Sequence, residues 1–293
     1  MTEVFLGTEA LADGLSRHDL RRWYRRMYRG VYVPKYVMPS LGDRALGAWL
    51  ATNRTGVIAG VAASALLGAR WVDDDESIEV LVNERRRQPG LTPRMDRHCD
   101  DEVMTIDGLP VTTPSRTAFD MGRYLKRSAA LARLDALMRV APFAPKRVEI
   151  LMRRYGPVRG IRQLRDLLPL IDVGAESPKE SWLRLLLFDG GLPMPETQIP
   201  VLDGGVPFAY LDMGYRDIQL AFEYDGDHHR SDRRQYVKDT RRLPAVERTG
   251  WEVIRVIAED RPAEVLSRAR EAFIRRGGAE IDEMSRSTRT FAA

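Results

Sequence analysis

The first periodic pattern of apolar residues lies between Leu15 and Val33. Its apolar positions follow the spacing i, i+3, i+4, i+7 of one helical face: Leu20, Trp23, Tyr24 and Met27. Ser16 precedes this run and Asp19 follows Ser16 by three residues, which predicts a capped helix start. A shorter helix is predicted before it, ending at Gly14, and a short β run, "RGVYVP", after it.

The middle of the chain predicts a mixture of helices and strands. "DRALGAWLATN" and "AGVAASALLGARW" have helical patterns, whereas "SIEVLVNE" alternates and is β-branched, which indicates a strand. A strand, a turn at Asp107-Gly108 and a second short strand are expected next. A helix should begin near Thr113-Pro114, and further helices should follow to about Leu168.

The helical pattern breaks near Asp172–Ala175, and a third region follows. "SPKESWLRLLLFDGG" predicts a helix, "PFAYLDMGY" and "DIQLAFEYDG" a β-hairpin, and "GWEVIRVIAED" a strand. A helix interrupted near Pro244 lies between the hairpin and that strand, and a last helix ends the region. The order helix–β–β–α–β–α predicts an α/β sandwich with acidic residues at its strand ends.

Composition restricts the class of protein. The 293 residues are 44% apolar and carry 30% charged residues, with a net charge of +4 and a pI of about 9.3. No apolar run is long enough to span a bilayer, and the amino-terminal stretch has no basic segment typical of a signal peptide. The single cysteine, Cys99, allows no internal disulfide. We expect a soluble cytoplasmic protein.

Charge changes the interpretation of the amino-terminal helix. Between Ser16 and Tyr36 there are six Arg and one Lys but one acid, Asp19. A solvated helix usually mixes signs, so this bias favours double-stranded DNA as a partner. Helix, tight turn, basic helix and strand is the order of a winged helix-turn-helix, whose basic helix enters the major groove. The predicted DNA-binding residues are Arg17, Arg21, Arg22, Arg25, Arg26, Arg29 and Lys35.

Three segments resemble one known family. "LSRHDLRRWYRRMYRGVYV", "GVAASALLGA" and "GLPVTTPSRTAFDMGR" look like the layout of AbiEi-type antitoxins: a winged helix ending in "RGVY", then a "PVTxPxRTxxD" box. The resemblance covers roughly residues 5–140. It implies a transcriptional autoregulator whose partner is a nucleotidyltransferase-like toxin encoded beside it.

An acidic cluster lies in the last region. Asp212 ends the first strand of the predicted hairpin and Glu223 lies near the end of the second, so the two carboxylates should lie side by side. Six acids and two Arg fall between Asp203 and Arg230. Clustered carboxylates repel one another unless a cation lies between them, and oxygen ligands suit Mg²⁺ or Mn²⁺. The metal ligands predicted from this arrangement are Asp212 and Glu223.

This region resembles the PD-(D/E)XK nucleases, and among them the very-short-patch-repair-like branch. The resemblance covers about residues 175–275 through "SxxE" at Ser177–Glu180, a strand ending at Asp212, "ExDGxxH" from Glu223 to His229, "DxxR" at Asp239–Arg242 and "GWxVxR" ending at Arg255. It implies metal ligation by Asp212, Glu223 and Asp225, support from Glu180 and proton handling by His229. The family's catalytic lysine belongs at position 225, where this chain has Asp225; Lys238 and His229 are candidate replacements.

The sequence thus predicts an α/β (α+β) protein with a winged helix-turn-helix over 1–75, an antitoxin-like region over 76–172, an endonuclease-like sandwich over 173–276 and a flexible tail over 277–293. Three functions stay open: an antitoxin-like DNA-binding repressor of a toxin–antitoxin operon, a metal-dependent DNA endonuclease, and a protein–protein module that neutralises a toxin.

Overall fold

The computed structural model describes residues 3–83, 87–226 and 242–278. Contacts divide the chain into unit 1, Met1–Ile171, and unit 2, Asp172–Ala293. The predicted boundary at 172/173 falls one residue from this division, while the boundary at 75/76 and the flexible tail stay predictions. Within the described ranges, no helix is both long enough and apolar enough to cross a membrane.

Unit 1 begins with a small three-stranded sheet, and two short helices lie between its first two strands in the chain. Its elements are β1 (Phe5–Leu6), α1 (Gly7–Ala12), α2 (Arg17–Trp23), β2 (Tyr24–Tyr28) and β3 (Val31–Pro34). The strand order is β1-β3-β2, and both pairings are antiparallel. Buried Val31 and Val33 on β3 join the core that α3 (Leu41–Ala51) covers.

The predicted helix is wrong beyond Trp23. Tyr24 already has extended backbone, with φ −118° and ψ 151°, and the segment that follows is strand β2. Arg25 pairs with Val33 and Arg26 with Tyr32 across the hairpin. Strand pairing therefore prevails over a helical apolar spacing that continued as far as Met27. Arg25 and Arg26 lie on β2, not on the helix that carries Arg21 and Arg22.

The rest of unit 1 is built on a five-stranded mixed sheet with the strand order β6-β5-β4-β8-β7. The strands are β4 (Val57–Ala59), β5 (Ile78–Leu81), β6 (Leu91–Arg94), β7 (Val103–Ile106) and β8 (Leu109–Thr112). The helices are α4 (Gly60–Leu66), α5 (Pro114–Tyr124), α6 (Arg127–Val140), α7 (Pro145–Tyr155) and α8 (Ile161–Leu167).

Two local predictions for this sheet are confirmed. Asp107 and Gly108 both have positive φ, 48° and 81°, and join Ile106 to its partner Leu109. Positive φ at both central residues defines the tight turn that matches strand twist, and Asp-Gly favours it. Pro114 occupies the first turn of α5, where its missing N–H costs no helical hydrogen bond.

Unit 2 contains a four-stranded sheet flanked by helices. Its elements are α9 (Pro178–Asp189), β9 (Glu196–Asp203), β10 (Val206–Tyr215), β11 (Leu220–Asp225), a helical segment at 242–248, β12 (Glu252–Ile257) and α10 (Pro262–Arg275). The order is β12-β11-β10-β9, with β11 and β12 parallel. Sequence patterning missed β9, which pairs along β10. The mixed α+β class is confirmed.

Candidate functional site

The basic helix α2 begins as its sequence predicts. The Ser16 hydroxyl accepts a hydrogen bond from the Asp19 backbone N–H at 3.0 Å and donates one to the Asp19 carboxylate at 2.6 Å. The carboxylate of Asp19 is therefore engaged at the helix start, where an acid is also favoured by the helix dipole.

Five of the seven predicted DNA-binding cations are exposed guanidinium groups that are free of carboxylates. Arg17, Arg21 and Arg22 project from α2, Arg26 from β2, and Arg29 from the turn between β2 and β3. In the part of the chain that the structure describes, none of the five forms an ion pair. Three exposed arginines of unit 2, Arg216, Arg268 and Arg275, each pair with an acid instead.

The other two predicted cations donate hydrogen bonds to backbone carbonyls of the same surface. Lys35 donates from its ammonium group to the Arg21 carbonyl at 2.9 Å, at the carboxyl end of α2 where a cation is favoured. Half-buried Arg25 donates to the Val37 carbonyl at 2.8 Å. These contacts position the surface of α2, β2 and β3, and they leave Arg25 less able than Arg26 to reach a ligand.

In unit 2 the structure brings Asp212 and Glu223 together. The pairing of β10 with β11 ends at Met213 and Phe222, so Asp212 and Glu223 occupy the next opposing positions. The Asp212 carboxylate accepts the Tyr224 backbone N–H at 3.0 Å. Burial, followed by the nearby charges of Glu180 and Glu223, raises the pKa of Asp212 to about 7. A cation between these carboxylates would relieve that repulsion.

Glu223 carries an unsatisfied oxygen. The residue is 6% exposed, and its Oε2 accepts a hydrogen bond from the Arg242 guanidinium at 2.8 Å. Its Oε1 is buried with no hydrogen-bond partner among the described residues. Burying an acceptor without a partner costs roughly 1–3 kcal/mol, more for a charged group. The Oε1 atom is therefore suited to accept a ligand.

Glu180 and Asp225 fit the predicted metal centre less well. Both oxygens of Glu180 serve the start of α9, accepting the Ser177 hydroxyl and the Glu176 backbone N–H at 2.8 Å each. Asp225 forms an ion pair with Arg255, so that its charge is already compensated. The predicted site residue His229 and the candidate Lys238 lie outside the described residues.

Within the described ranges, one set of three candidate ligands has all its ligand atoms within 4.8 Å of one another: Cys99, Asp101 and Glu102. Arg154 pairs with both Asp101 and Glu102, and Arg116 also pairs with Glu102, so that two guanidiniums compensate the two carboxylates. The three predicted ligands of unit 2 do not form such a set. The metal site at Asp212, Glu223 and Asp225 stays a prediction.

Sequence reasoning missed a buried ionic network in unit 1. Arg116 is 1% exposed; it donates to Asp120 at 2.9 Å, pairs with Glu102 and donates to the Arg97 carbonyl. Burial alone would lower the pKa of Arg116, but the charges and hydrogen bonds of Asp120 and Glu102 outweigh it and raise that pKa. Arg123 also pairs with Asp120, at 2.9 Å.

The "PVTxPxRTxxD" pattern contains two residues of this network, Arg116 and Asp120, and could have indicated their pairing. It places Arg116 and Asp120 four residues apart on α5, and the Thr112 and Thr117 hydroxyls lie 2.7 Å apart beside them. The box is therefore explained by the architecture of unit 1, since its charged residues are buried and paired with one another. Its acids and bases are not free to act on a substrate.

Comparison with known proteins bears on both units. Residues 49–170 match the family model of the AbiEi antitoxin C-terminal domain, a range that contains the five-stranded sheet and the buried network. The chain is 29% identical to an uncharacterised protein of Mycobacterium tuberculosis strain CDC 1551 / Oshkosh over 262 residues, 89% of this chain and 92% of that protein. An uncharacterised protein of strain ATCC 25618 / H37Rv matches to the same extent.

The aligned 262 residues exceed the length of either unit, so the similarity extends over both. No solved structure matches the chain. The family match begins at residue 49, after the basic surface, and ends before unit 2. The winged helix and the nuclease-like fold therefore stay predictions.

Proposed function

We propose that this protein is a DNA-binding antitoxin, a transcriptional (auto)repressor of a toxin–antitoxin operon. The observation that carries the proposal is the surface of α2, β2 and β3, where five exposed arginines have no acidic partner among the described residues: Arg17, Arg21, Arg22, Arg26 and Arg29. Unpaired cations on one surface provide the contacts to phosphate that dominate protein–DNA affinity. The family match at 49–170 supports the antitoxin part.

The topology supports a winged helix-turn-helix. Helices α1 and α2 lie between β1 and β2, and the strand order β1-β3-β2 makes β2 and β3 a hairpin. In this arrangement α2 is the recognition helix and the Arg29-Gly30 turn is the tip of the wing. Recognition helices contact bases in the major groove while the wing reaches phosphates.

A mobility-shift experiment with the duplex upstream of this gene tests the proposal. We expect the wild-type protein to retard the duplex, and Arg17→Glu with Arg21→Glu to weaken retention at least 100-fold, since two phosphate attractions become repulsions. Arg248→Glu, an exposed charge reversal in unit 2, is the matched control and should bind as wild type. Equal binding by all three proteins would overturn the proposal.

The proposed partner is a nucleotidyltransferase-like toxin encoded beside this gene. The antitoxin match supports a toxin partner, and the type of toxin follows from the resemblance over residues 5–140. Co-purification of the two gene products from one expression culture tests it. Separate elution of the two proteins, each folded, would contradict the partner assignment without affecting the DNA-binding experiment.

A second candidate, a metal-dependent DNA endonuclease, is favoured by the unpartnered Oε1 of Glu223 beside Asp212. Mg²⁺ or Mn²⁺ held there would supply a bound water for attack on phosphorus. Asp225 occupies the position of the catalytic lysine of PD-(D/E)XK nucleases and pairs with Arg255, which argues against endonuclease activity. Duplex incubated with Mn²⁺, Mg²⁺ or EDTA separates the candidates: fragments only with metal, lost in Asp212→Asn, would establish an enzyme.

A further inference from the structure

Unit 1 contains a cavity of about 450 Å³ beside the edge strand β6. Its lining includes Thr92 and Arg94 from β6, Asp96 just after it, and Tyr124 from the end of α5. Pockets for small molecules have volumes of roughly 300–1,000 Å³, so a ligand of mononucleotide size fits this one. The cavity lining includes none of the basic residues of α2.

The cavity is cationic. Three guanidinium groups line it, those of Arg87, Arg94 and Arg159, against one carboxylate, that of Asp96. Asp96 is already engaged, since its two oxygens share the single proton of the Tyr124 hydroxyl, at 2.7 and 2.8 Å, and one of them lies 3.5 Å from the Arg123 guanidinium. Arg87 and Arg159 are exposed and form no ion pair with any described residue. An anion is therefore the ligand that the charges favour.

Arg94 is held in a fixed orientation. Its Nε pairs with the buried carboxylate of Glu79, and its guanidinium lies 3.7 Å from the centroid of the Tyr124 ring. The two terminal nitrogens of Arg94 have no partner among the described residues. A guanidinium that is anchored through Nε and stacked on a ring loses little entropy on binding, and its free fork matches phosphate oxygens.

We propose that this cavity binds a nucleoside phosphate, with the phosphate on Arg94 and Arg159. Glu79 compensates the charge of Arg94, whereas Arg87 and Arg159 pair with no described carboxylate. These two cations match the charge of a doubly charged phosphate better than that of a single carboxylate ligand. The volume exceeds that of inorganic phosphate, and Pro93 and Met95 give the cavity an apolar wall for a base. Guanidinium groups beside an apolar wall are the elements that recognise a charged phosphate joined to a planar ring.

Duplex DNA is a second source of phosphate. The Arg29 backbone N–H donates to the Gln88 side chain at 2.6 Å, so the β2–β3 turn lies against the residue that follows Arg87. A duplex on that turn would be close enough to place a backbone phosphate near Arg87. The experiment therefore needs a nucleotide arm and a duplex arm.

Calorimetric titration of the full chain with ATP, GTP, adenosine and inorganic phosphate tests the proposal. EDTA keeps metal at the unit 2 carboxylates from contributing. We expect one nucleotide to bind per chain with a micromolar Kd, and adenosine to bind at least 10-fold more weakly. Arg159→Glu should weaken the nucleotide at least 10-fold. Arg162→Glu, an exposed reversal three residues along that does not line the cavity, should leave it unchanged.

Two results would overturn the proposal. One is that neither ATP nor GTP binds the wild-type protein at a ligand concentration of about 1 mM, which would detect any Kd of about 1 mM or lower. The other is that Arg159→Glu weakens duplex retention while nucleotide affinity is absent or unchanged, which would assign the cavity to DNA. Circular dichroism of both variants ensures that lost binding is not lost folding, and Arg87→Glu provides a second variant at the cavity.

Discussion

Arg116 donates through Nε to the carboxylate of Asp120, one helical turn along α5, at 2.9 Å, and both side chains are 1% exposed. Neither charge can be solvated, so each depends on the other and on the groups around them. Glu102 and Arg123 complete the compensation. The pair lies within residues 49–170, which match the antitoxin family model, so the stability of that region depends on it.

Removing one member of this pair should destabilise unit 1 strongly. Arg116→Met leaves buried Asp120 paired with Arg123 alone and buried Glu102 paired with Arg154 alone, and breaking a buried pair costs about 3–5 kcal/mol. Arg154→Met removes a cation from the same network at a partly exposed position, where pairs contribute about 0–1 kcal/mol. Urea unfolding of both variants measures the difference, and equal losses would contradict the role of burial.

The salt dependence of DNA binding should distinguish two neighbouring arginines. Arg26→Gln removes an exposed cation and should reduce the slope of log affinity against log salt by about 0.9, the value for one phosphate contact. Arg25→Gln removes a half-buried cation bound to the Val37 carbonyl and should change the slope less. Fluorescence anisotropy with a labelled duplex at several salt concentrations measures both; equal changes would mean that Arg25 also reaches phosphate.

Features whose partners lie within a few residues could be predicted from the sequence. The Ser16–Asp19 cap and the Asp107-Gly108 turn depend only on neighbouring residues, and both are confirmed. The helix predicted through Met27 is wrong because pairing with β3 decides that segment, and periodicity does not reveal a strand partner. The "PVTxPxRTxxD" box contains Arg116 and Asp120, but their partner Glu102 lies outside it, so the box alone does not reveal the whole ionic network.

The carboxylates of unit 2 also differ in whether their partners lie near or far in the sequence. Asp212 and Glu223 do lie opposite each other, but the prediction that Asp212 ends its strand is wrong. Strand β10 continues to Tyr215, so the two carboxylates meet inside the hairpin and not at two strand ends. The pairing of Asp225 with Arg255 depends on the parallel strand β12, which is 30 residues away in the chain. The sequence pattern predicts Asp225 as a metal ligand because it does not reveal that the fold places Arg255 beside Asp225.

Asp212 should make the stability of the protein depend on pH. Its pKa is raised from 3.8 to about 7 in the folded protein, so the folded state holds its proton more tightly than the unfolded state. The free energy of unfolding should therefore fall as pH rises from about 4 to about 7, by at most about 4 kcal/mol.

Asp212→Asn should remove most of that decline, because Asn has no charge to bury and its oxygen can still accept the Tyr224 N–H. Urea unfolding in EDTA between pH 4.5 and 8 measures the effect. A wild-type profile parallel to that of the variant would show that Asp212 titrates normally.

Binding of Mn²⁺ to unit 2 should depend on Glu223 and not on Asp225. The Oε1 atom of Glu223 is buried without a described partner, whereas Asp225 is compensated by Arg255. Glu223→Gln should therefore weaken Mn²⁺ binding at least 10-fold, since it removes a charge from the pair that would hold the cation. Asp225→Asn should weaken binding less than threefold, and titration calorimetry with Mn²⁺ compares the two. A greater loss in Asp225→Asn would mean that the cation displaces Arg255, and the site would then include all three predicted ligands.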